Sequence, residues 1–367
     1  MQTRRRVLGV LPAAALLASS ARAQLSLRPG ILSEEPIGLR NHASNRGLVY
    51  GSATSTFQLR DLGFAGALAR EAGLIVPEYE MKRGVLEPQP GRYDFSGCDS
   101  LLAFARGHSI LMRGHPLVWH KRNPDWLEDV VRDRPDSDVL TGYISAVVRH
   151  FRGHIHSWDV VNEAIAPPDG RKDGLRETMW LKAFGPSYID DAFHAAREAD
   201  PSAVLVYNDW GCEAGAPDND RFRAATLDFL NRALERGVPI DALGLQGHLA
   251  AFGIAVDQPK LARFLGDVKS LGLRVLVTEL DVDDSNGPTD GAVRDNAVAD
   301  ATRRFLDVVL ANSVTSAVLT WGLSDRFLDP PSWHQRLAGY SPRMLPLDSN
   351  LDRTPMWHAI ARSFAGA

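Results

Sequence analysis

Eight short apolar runs, each leading into a polar loop and then a helix-like stretch, recur from residue 49 almost to the C-terminus. No other feature narrows the fold so far. The runs cover residues 49–54, 74–77, 110–115, 157–162, 203–208, 242–246, 274–279 and 316–321. Their length and their content of valine, isoleucine and leucine suit strands buried on both faces. Helical periodicity fills the gaps, over 57–72, 97–106, 139–151, 188–199, 218–235, 258–271 and 292–311, with a last helix expected at 354–364. Strands alternating with helices require a parallel sheet, and eight such units close into a (β/α)8 TIM barrel. An open doubly wound sheet is the competing arrangement, but it normally carries a glycine-rich phosphate turn after its first strand. The segment Gly51-Ser52-Ala53-Thr54-Ser55-Thr56 has no such pattern. The expectation is an α/β chain with a single barrel domain over residues 47–367.

Two segments precede that domain. Residues 1–23 read as an export signal: Arg4-Arg5-Arg6, an apolar stretch to about Ala18 that is too short to span a bilayer, then Ala21-Arg22-Ala23. The arginines ahead of Val7-Leu8 suggest the twin-arginine route, and hence a periplasmic or secreted protein. Residues 24–46 are rich in Pro, Gly and Ser, lack periodicity and read as an arm lying over the domain. Removal of 1–23 takes away four arginines and no acid, so the formal charge falls from −4 to −8. An acidic surface disfavours nucleic acid and anionic membranes as partners, whereas a neutral glycan tolerates it. Cys98 and Cys212 are too few for a disulfide framework; export would allow them to pair, and they read as free or marginal.

Polar residues fall in one phase along this pattern. In a barrel of parallel strands, residues just past the strand C-termini point into a shared bowl. The second run ends in Pro77-Glu78-Tyr79-Glu80-Met81-Lys82, and the third in Arg113-Gly114-His115, followed by Trp119-His120. Asn162-Glu163, Asn208-Asp209-Trp210, Gln246-Gly247-His248, Glu279-Leu280-Asp281 and Trp321-Gly322 close the next five. Glu163 and Glu279 each directly follow a buried run. Two carboxyl groups meeting in such a bowl are the minimum equipment for cutting a glycosidic bond.

The run Pro77–Lys82, the stretch from Arg113 to His120, and the blocks 158–164, 244–248, 278–281 and 321–325 together resemble glycoside hydrolase family 10, the endo-β-1,4-xylanases. The matches keep family order from about residue 47 to 364. The resemblance implies a retaining enzyme without cofactor, with Glu163 as acid/base and Glu279 as nucleophile. It implies that His248 hydrogen-bonds Glu279, with Asp281 behind the histidine, and that Asn162 contacts the sugar 2-hydroxyl. It places Glu78, Lys82, His115, Trp119, Gln246, Trp321 and Trp333 along the glycone side. Asn208 joins the substrate-binding set by the bowl argument alone. The implied partner is a β-linked polysaccharide, xylan first, cut at internal bonds by a monomeric protein.

Three departures from the family pattern bear on substrate choice. Tyr79 stands where asparagine is usual, Arg83 where tryptophan is usual, and the link from Asp325 to Trp333 is longer than usual. The first two sit by the site for the second glycone sugar, and one phenol does not reproduce an amide's paired donor and acceptor. They motivate an alternative, the same chemistry on another β-linked polysaccharide. An inactive carbohydrate-binding barrel is the reading from outside enzymology. It gives no reason to keep both carboxyl groups. His150, His154 and His156 straddle a helix end and a strand, so no metal is expected there. Asp281, Asp283, Asp284 and Asn286 lack the glycine and closing glutamate of a calcium loop.

Overall fold

Hydrogen bonds between consecutive apolar runs organise the chain, as a computed structural model of residues 37–133, 136–328 and 341–366 shows. The strands are β1 Val49–Thr54, β2 Leu74–Pro77, β3 Leu111–Met112, β4 Ser157–Asn162, β5 Val204–Asp209, β6 Ala242–Leu245, β7 His248–Ala250, β8 Arg274–Asp283 and β9 Thr315–Thr320. All their pairings are parallel, in the order β3-β2-β1-β9-β8-β6-β5-β4, with the short β7 paired to the far end of β8. The two ends of that order also meet. Gly114 and Val118 form parallel bridges to Trp158 and Val161 of β4. Gly114 N–H donates to Ser157 (2.9 Å) and Val118 N–H to Val160 (3.0 Å). Together these features make the eight-unit barrel of the expected class.

The third unit departs from the sequence expectation of a strand over 110–115. Only Leu111 and Met112 pair regularly with β2. From Gly114 the backbone turns its bonds to β4, and Pro116 has no N–H to continue a ladder. Two further differences are local. The helix expected over 57–72 divides into a 3-10 turn, Gln58–Arg60, and a helix Leu62–Glu71. Asp61 caps the helix by accepting from the N–H groups of Gly63 and Phe64. The end of the expected arm is folded: Leu39–Ser44 is a helix that buries Leu39 and Ala43. Arg46 ties this segment to the chain's last helices through Ser363 O (2.5 Å) and Leu310 O (3.0 Å). Residues 1–36, including the expected signal and most of the arm, lie outside the described residues.

Packing follows the two-sided burial of each strand. Inside the barrel sit Ala53, Leu74, Val76, Val206, Ala242, Leu276, Ala317 and Leu319, small or branched residues that fill a closing cylinder. The outward strand faces pack on helices such as Tyr188–Ala199, where Ile189, Ala192, Phe193 and Ala196 repeat at helical spacing. One close approach demands glycine. A Cβ on Gly114 would lie 2.0 Å from the Trp158 ring, so its absence lets the third unit close against β4. Cys98 and Cys212 are buried and unpaired, as expected.

Candidate active site

The two carboxyl groups stand at β4 and β8, the latter running past the expected 274–279 to Asp283, and a chain of amides joins them. Glu163 follows the last residue of β4, and Glu279 lies within β8. The Asn208 Nδ2 group, at the end of β5, donates both to Glu279 Oε1 (2.7 Å) and to Asn162 Oδ1 (2.8 Å). Gln246 Nε2 reaches Asn162 Oδ1 and Glu163 Oε1, each at 3.4 Å. The Asn208 carbonyl accepts from Thr278 Oγ1 at 2.7 Å, which fixes which way the amide faces. This crowding depends on an absent side chain: a Cβ on Gly244 would stand 2.2 Å from Asn208 Oδ1.

Glu163 has a left-handed backbone with φ +56°, unusual for a residue with a side chain. Such a conformation costs on the order of 1–3 kcal/mol and persists only when its surroundings impose it. Here Glu163 N–H donates to Asn208 O (2.9 Å), and Glu163 O accepts from Arg176 Nε (2.7 Å). The bend turns the chain off β4 at the point where the side chain enters the bowl. Glu163 Oε2 faces Lys121 Nζ at 3.6 Å and His120 Nε2 at 4.0 Å.

The surroundings of Glu279 favour charge. Burial opposes ionisation, but the positive charges of His115, His248 and Lys82, with a hydrogen bond from His248, overcome it and hold the carboxyl at about 2. His248 Nε2 lies 3.3 Å from Glu279 Oε2, while Nδ1 lies 2.8 Å from Asp281 Oδ1. Burial would lower the His248 value, yet Asp281 and Glu279 raise it well above its ordinary level. Both ring nitrogens of the imidazolium therefore donate to carboxylates. His115 itself is pushed down by burial and by Lys82, with Glu279 and Asp159 pulling the other way.

The expected glycone residues mostly gather on the other side of Glu279. Lys82 Nζ sits over the rings of Trp119 (4.9 Å) and Trp321 (5.3 Å), and burial pushes its ammonium down to about 8. The His115 ring lies edge-on to Trp321 at 5.2 Å. Glu78 accepts from Gln58 Nε2 (3.2 Å), and burial raises its carboxyl above the ordinary range. Trp119 Nε1 is buried without a hydrogen-bond partner among the described residues. Trp333 lies outside the described residues. Asn208 is wholly buried, its amide engaged by Glu279, Asn162 and Thr278 rather than open to the cleft.

Arg83 turns out differently from the sequence expectation. It is buried, ion-paired to Glu87 at 2.8 Å and packed 4.1 Å over the Tyr143 ring, so its charge is neutralised inside the wall. Tyr79 remains 46% exposed beside Phe57 and bonds Glu78, leaving it as the departure that faces solvent.

Sequence reasoning missed three supporting groups. Asp159, within β4, bonds both Arg113 and His115 Nδ1, the latter at 2.7 Å, and so orients the histidine beside Glu279. Its place inside the apolar run hid it, although a lone acid in a buried strand was itself a signal. Arg176 holds the Glu163 turn from a loop with no periodicity to mark it. Glu213 accepts from the N–H groups of Gly211 (2.8 Å) and Gly247 (3.0 Å), fastening the turn that presents His248.

One trio of possible metal donors, His115, Asp159 and Glu279, converges within 4.8 Å among the described residues. Arg113, Asn208 and His248 already engage these carboxylates, and Lys82 adds a further positive charge, so the arrangement reads as a hydrogen-bond network. His150 instead pairs with Asp99 at 2.8 Å, and His156 Nδ1 with Ser157 Oγ at 3.1 Å.

Residues 38–363 match the family model described as Glycosyl hydrolase family 10. The chain is 32% identical over 297 residues to Endo-1,4-beta-xylanase B of Thermotoga neapolitana, spanning 79% of this chain and 80% of that protein. It is 30% identical to Endo-1,4-beta-xylanase 5 of Pyricularia oryzae, covering 90% of this chain and 79% of the relative. Among solved structures, xylanase 10B from Thermotoga petrophila RKU-1 in complex with xylobiose superposes with TM-score 0.80 at 29% identity, covering 90% of this chain and 98% of that one.

Proposed function

Because the chain belongs to glycosyl hydrolase family 10, we propose that it is a retaining endo-β-1,4-xylanase in which Glu279 attacks and Glu163 moves the proton. The observation that carries the assignment is the unequal setting of the two carboxyl groups. Glu279 is kept ionised by His115, His248 and Lys82, whereas Glu163 has only long amide contacts at Oε1 and meets Lys121 at the rim, 3.6 Å from Oε2. A pair divided this way supplies one nucleophile and one proton carrier.

In the first step a Glu279 oxygen bonds to the anomeric carbon while the glycosidic C–O bond breaks. Glu163 gives its proton to the departing oxygen, leaving a covalent glycosyl-enzyme. In the second, Glu163 as carboxylate takes a proton from water, whose oxygen bonds to the anomeric carbon and frees Glu279. Two inversions give net retention, which suits carboxyl groups about 5–5.5 Å apart. The Asn162 carbonyl is occupied by Asn208 and Gln246, so its Nδ2 group is the end left to donate to the sugar 2-hydroxyl. Lys82, His115, Trp119, Gln246 and Trp321 form the glycone wall, where flat aromatic faces meet sugar rings and polar groups read hydroxyls.

Xylan as substrate is supported by the named activities of the relatives and by xylobiose in the Thermotoga petrophila complex. Exposed Tyr79 favours a second reading, the same chemistry on another β-linked polysaccharide. Residues 1–23 support export through a twin-arginine signal, and we read the protein as acting alone. Reducing-end release from linear xylan, run beside cellulose, mixed-linkage glucan and a charged exopolysaccharide, tests the assignment. Cleavage of xylan is expected. Turnover of another glycan alone would move the specificity, and binding without turnover of any would return the inactive barrel.

A further inference from the structure

Lys121 has no part in the two-step chemistry, yet its ammonium stands 3.6 Å from Glu163 Oε2. A proton donor gains nothing from a fixed positive charge beside it, because such a charge opposes holding the proton. The lysine is not a buried structural cation either. Its side chain is 58% exposed, and its other contact among the described residues is the Trp119 ring, whose centre lies 5.3 Å from the nitrogen. It therefore stands at the rim of the cleft, over an aromatic face suited to a sugar and beside the oxygen that must meet the glycosidic bond.

Two cations stand close to Glu163, Lys121 at its carboxylate and Arg176 at its backbone oxygen. Overall the chain is acidic, with 45 acidic residues against 41 basic ones. Some arginines pair with a carboxylate, as Arg236 does with Asp190. Arg176 instead uses its guanidinium on the backbone oxygens of Glu163 (2.7 Å) and Ile165 (3.3 Å), so no carboxylate among the described residues neutralises it. His120, between these cations, is driven down to about 4 by burial and then by Arg176, with Lys121 adding to the effect. Lys121 thus meets the Glu163 carboxylate and Arg176 its backbone, and among the described residues Glu163 is the one acid within ion-pair distance of Lys121.

We infer that Lys121 forms a subsite for an anionic substituent, the carboxylate of a uronic acid branch, on a sugar next to the bond that is cut. The inference rests on the glycosidase reading above and deepens it. Among the described residues Glu163 is the acid in contact with the ammonium. With a branched chain bound, the branch carboxylate replaces it, and the branch orients the backbone sugar over Trp119. Arg176 adds long-range attraction without touching the branch.

The test compares kcat/KM of the full chain for a xylan oligosaccharide bearing one uronic acid branch and for the same molecule with its carboxyl reduced to the alcohol. The two differ in charge and hardly in shape. The charged form is expected to be cut about three- to fivefold more efficiently, the value of one partly exposed ion pair. That preference should fade as salt is raised. Lys121→Gln should remove it, Lys121→Arg should keep it and Lys121→Glu should reverse it, with melting temperatures checking that each variant folds. Equal rates for the two forms in the native protein, or a preference that survives Lys121→Glu, overturn the inference. Linear oligosaccharide separates the two layers. If it is cut while the charged and reduced forms behave alike, only the Lys121 subsite fails; if it is not cut, the xylanase reading fails first.

Discussion

The Asn208 amide nitrogen donates at once to Glu279 Oε1 (2.7 Å) and to Asn162 Oδ1 (2.8 Å), so one buried group positions both the attacking carboxylate and the residue preceding the acid. Hydrogen bonds to a charged acceptor contribute about 1.5–3 kcal/mol. Asn208→Ala should therefore lower kcat by roughly 10- to 100-fold while KM changes little. Asn208→Asp should be worse, since it places a second carboxylate against Glu279. Steady-state kinetics on xylohexaose would read both, and an Ala variant with native kcat would refute the positioning role.

Loss of either carboxyl group should separate the two steps by leaving group. Glu279→Ala should abolish turnover on every substrate, because no covalent intermediate can form. Glu163→Ala should lose xylan cleavage by about 10²–10⁴-fold yet retain fast release of a dinitrophenyl leaving group, which needs no proton. A burst of dinitrophenol followed by a slow phase would mark accumulation of the glycosyl-enzyme. Equal damage on both substrate types would exclude Glu163 as the acid.

Lys82 should set an alkaline limit. Burial lowers its value from 10.5 to about 8, so the ammonium is lost as pH rises through that value. Its cation–aromatic contacts with Trp119 and Trp321 go with it. KM for xylo-oligosaccharides is expected to climb from about pH 8 upward. Lys82→Arg should move the rise to higher pH, because guanidinium stays charged there. A KM–pH profile identical in Lys82→Met and native protein would dismiss this account.

Asp325 should shape stability rather than rate. It accepts from the N–H groups of Met344 and Leu345, each at 3.0 Å, and burial raises its carboxyl from 3.8 to about 8, with Asp284 adding to the effect. The folded chain thus holds a proton that the unfolded chain releases. Its contribution is complete below about pH 4 and is lost as pH rises toward 8. Asp325→Asn keeps an acceptor for both N–H groups and should flatten the fall in melting temperature over that window. An unchanged slope in differential scanning calorimetry would assign the pH dependence elsewhere.

The barrel was readable because its signal is local. Strands over 49–54, 74–77 and 157–162 and the helix at 188–199 match their expected bounds, since each is a run of one periodicity between turn residues. Where a partner outside the run decides, the reading slipped. The third strand ends early because its backbone bonds pass from β2 to β4, and the Asp61 cap splits one helix. The short helices Asp125–Asp133 and Met179–Phe184, 9 and 6 residues long, went unread because each offers too few turns to establish a period, although Leu127 and Val131 stand one turn apart on the buried face of the first.

By itself the sequence determined the class of fold and the placing of Glu163 and Glu279 in one phase along it, because strand period and polar phase are written along the chain. Which carboxyl group is held ionised, how Gly244 clears space for Asn208, the left-handed turn at Glu163 and the inward burial of Arg83 were decided only in three dimensions. Each depends on side chains that approach from other strands and loops. The free energy of a charge or an amide is set by those neighbours and by the water they exclude, and neither is local to the chain.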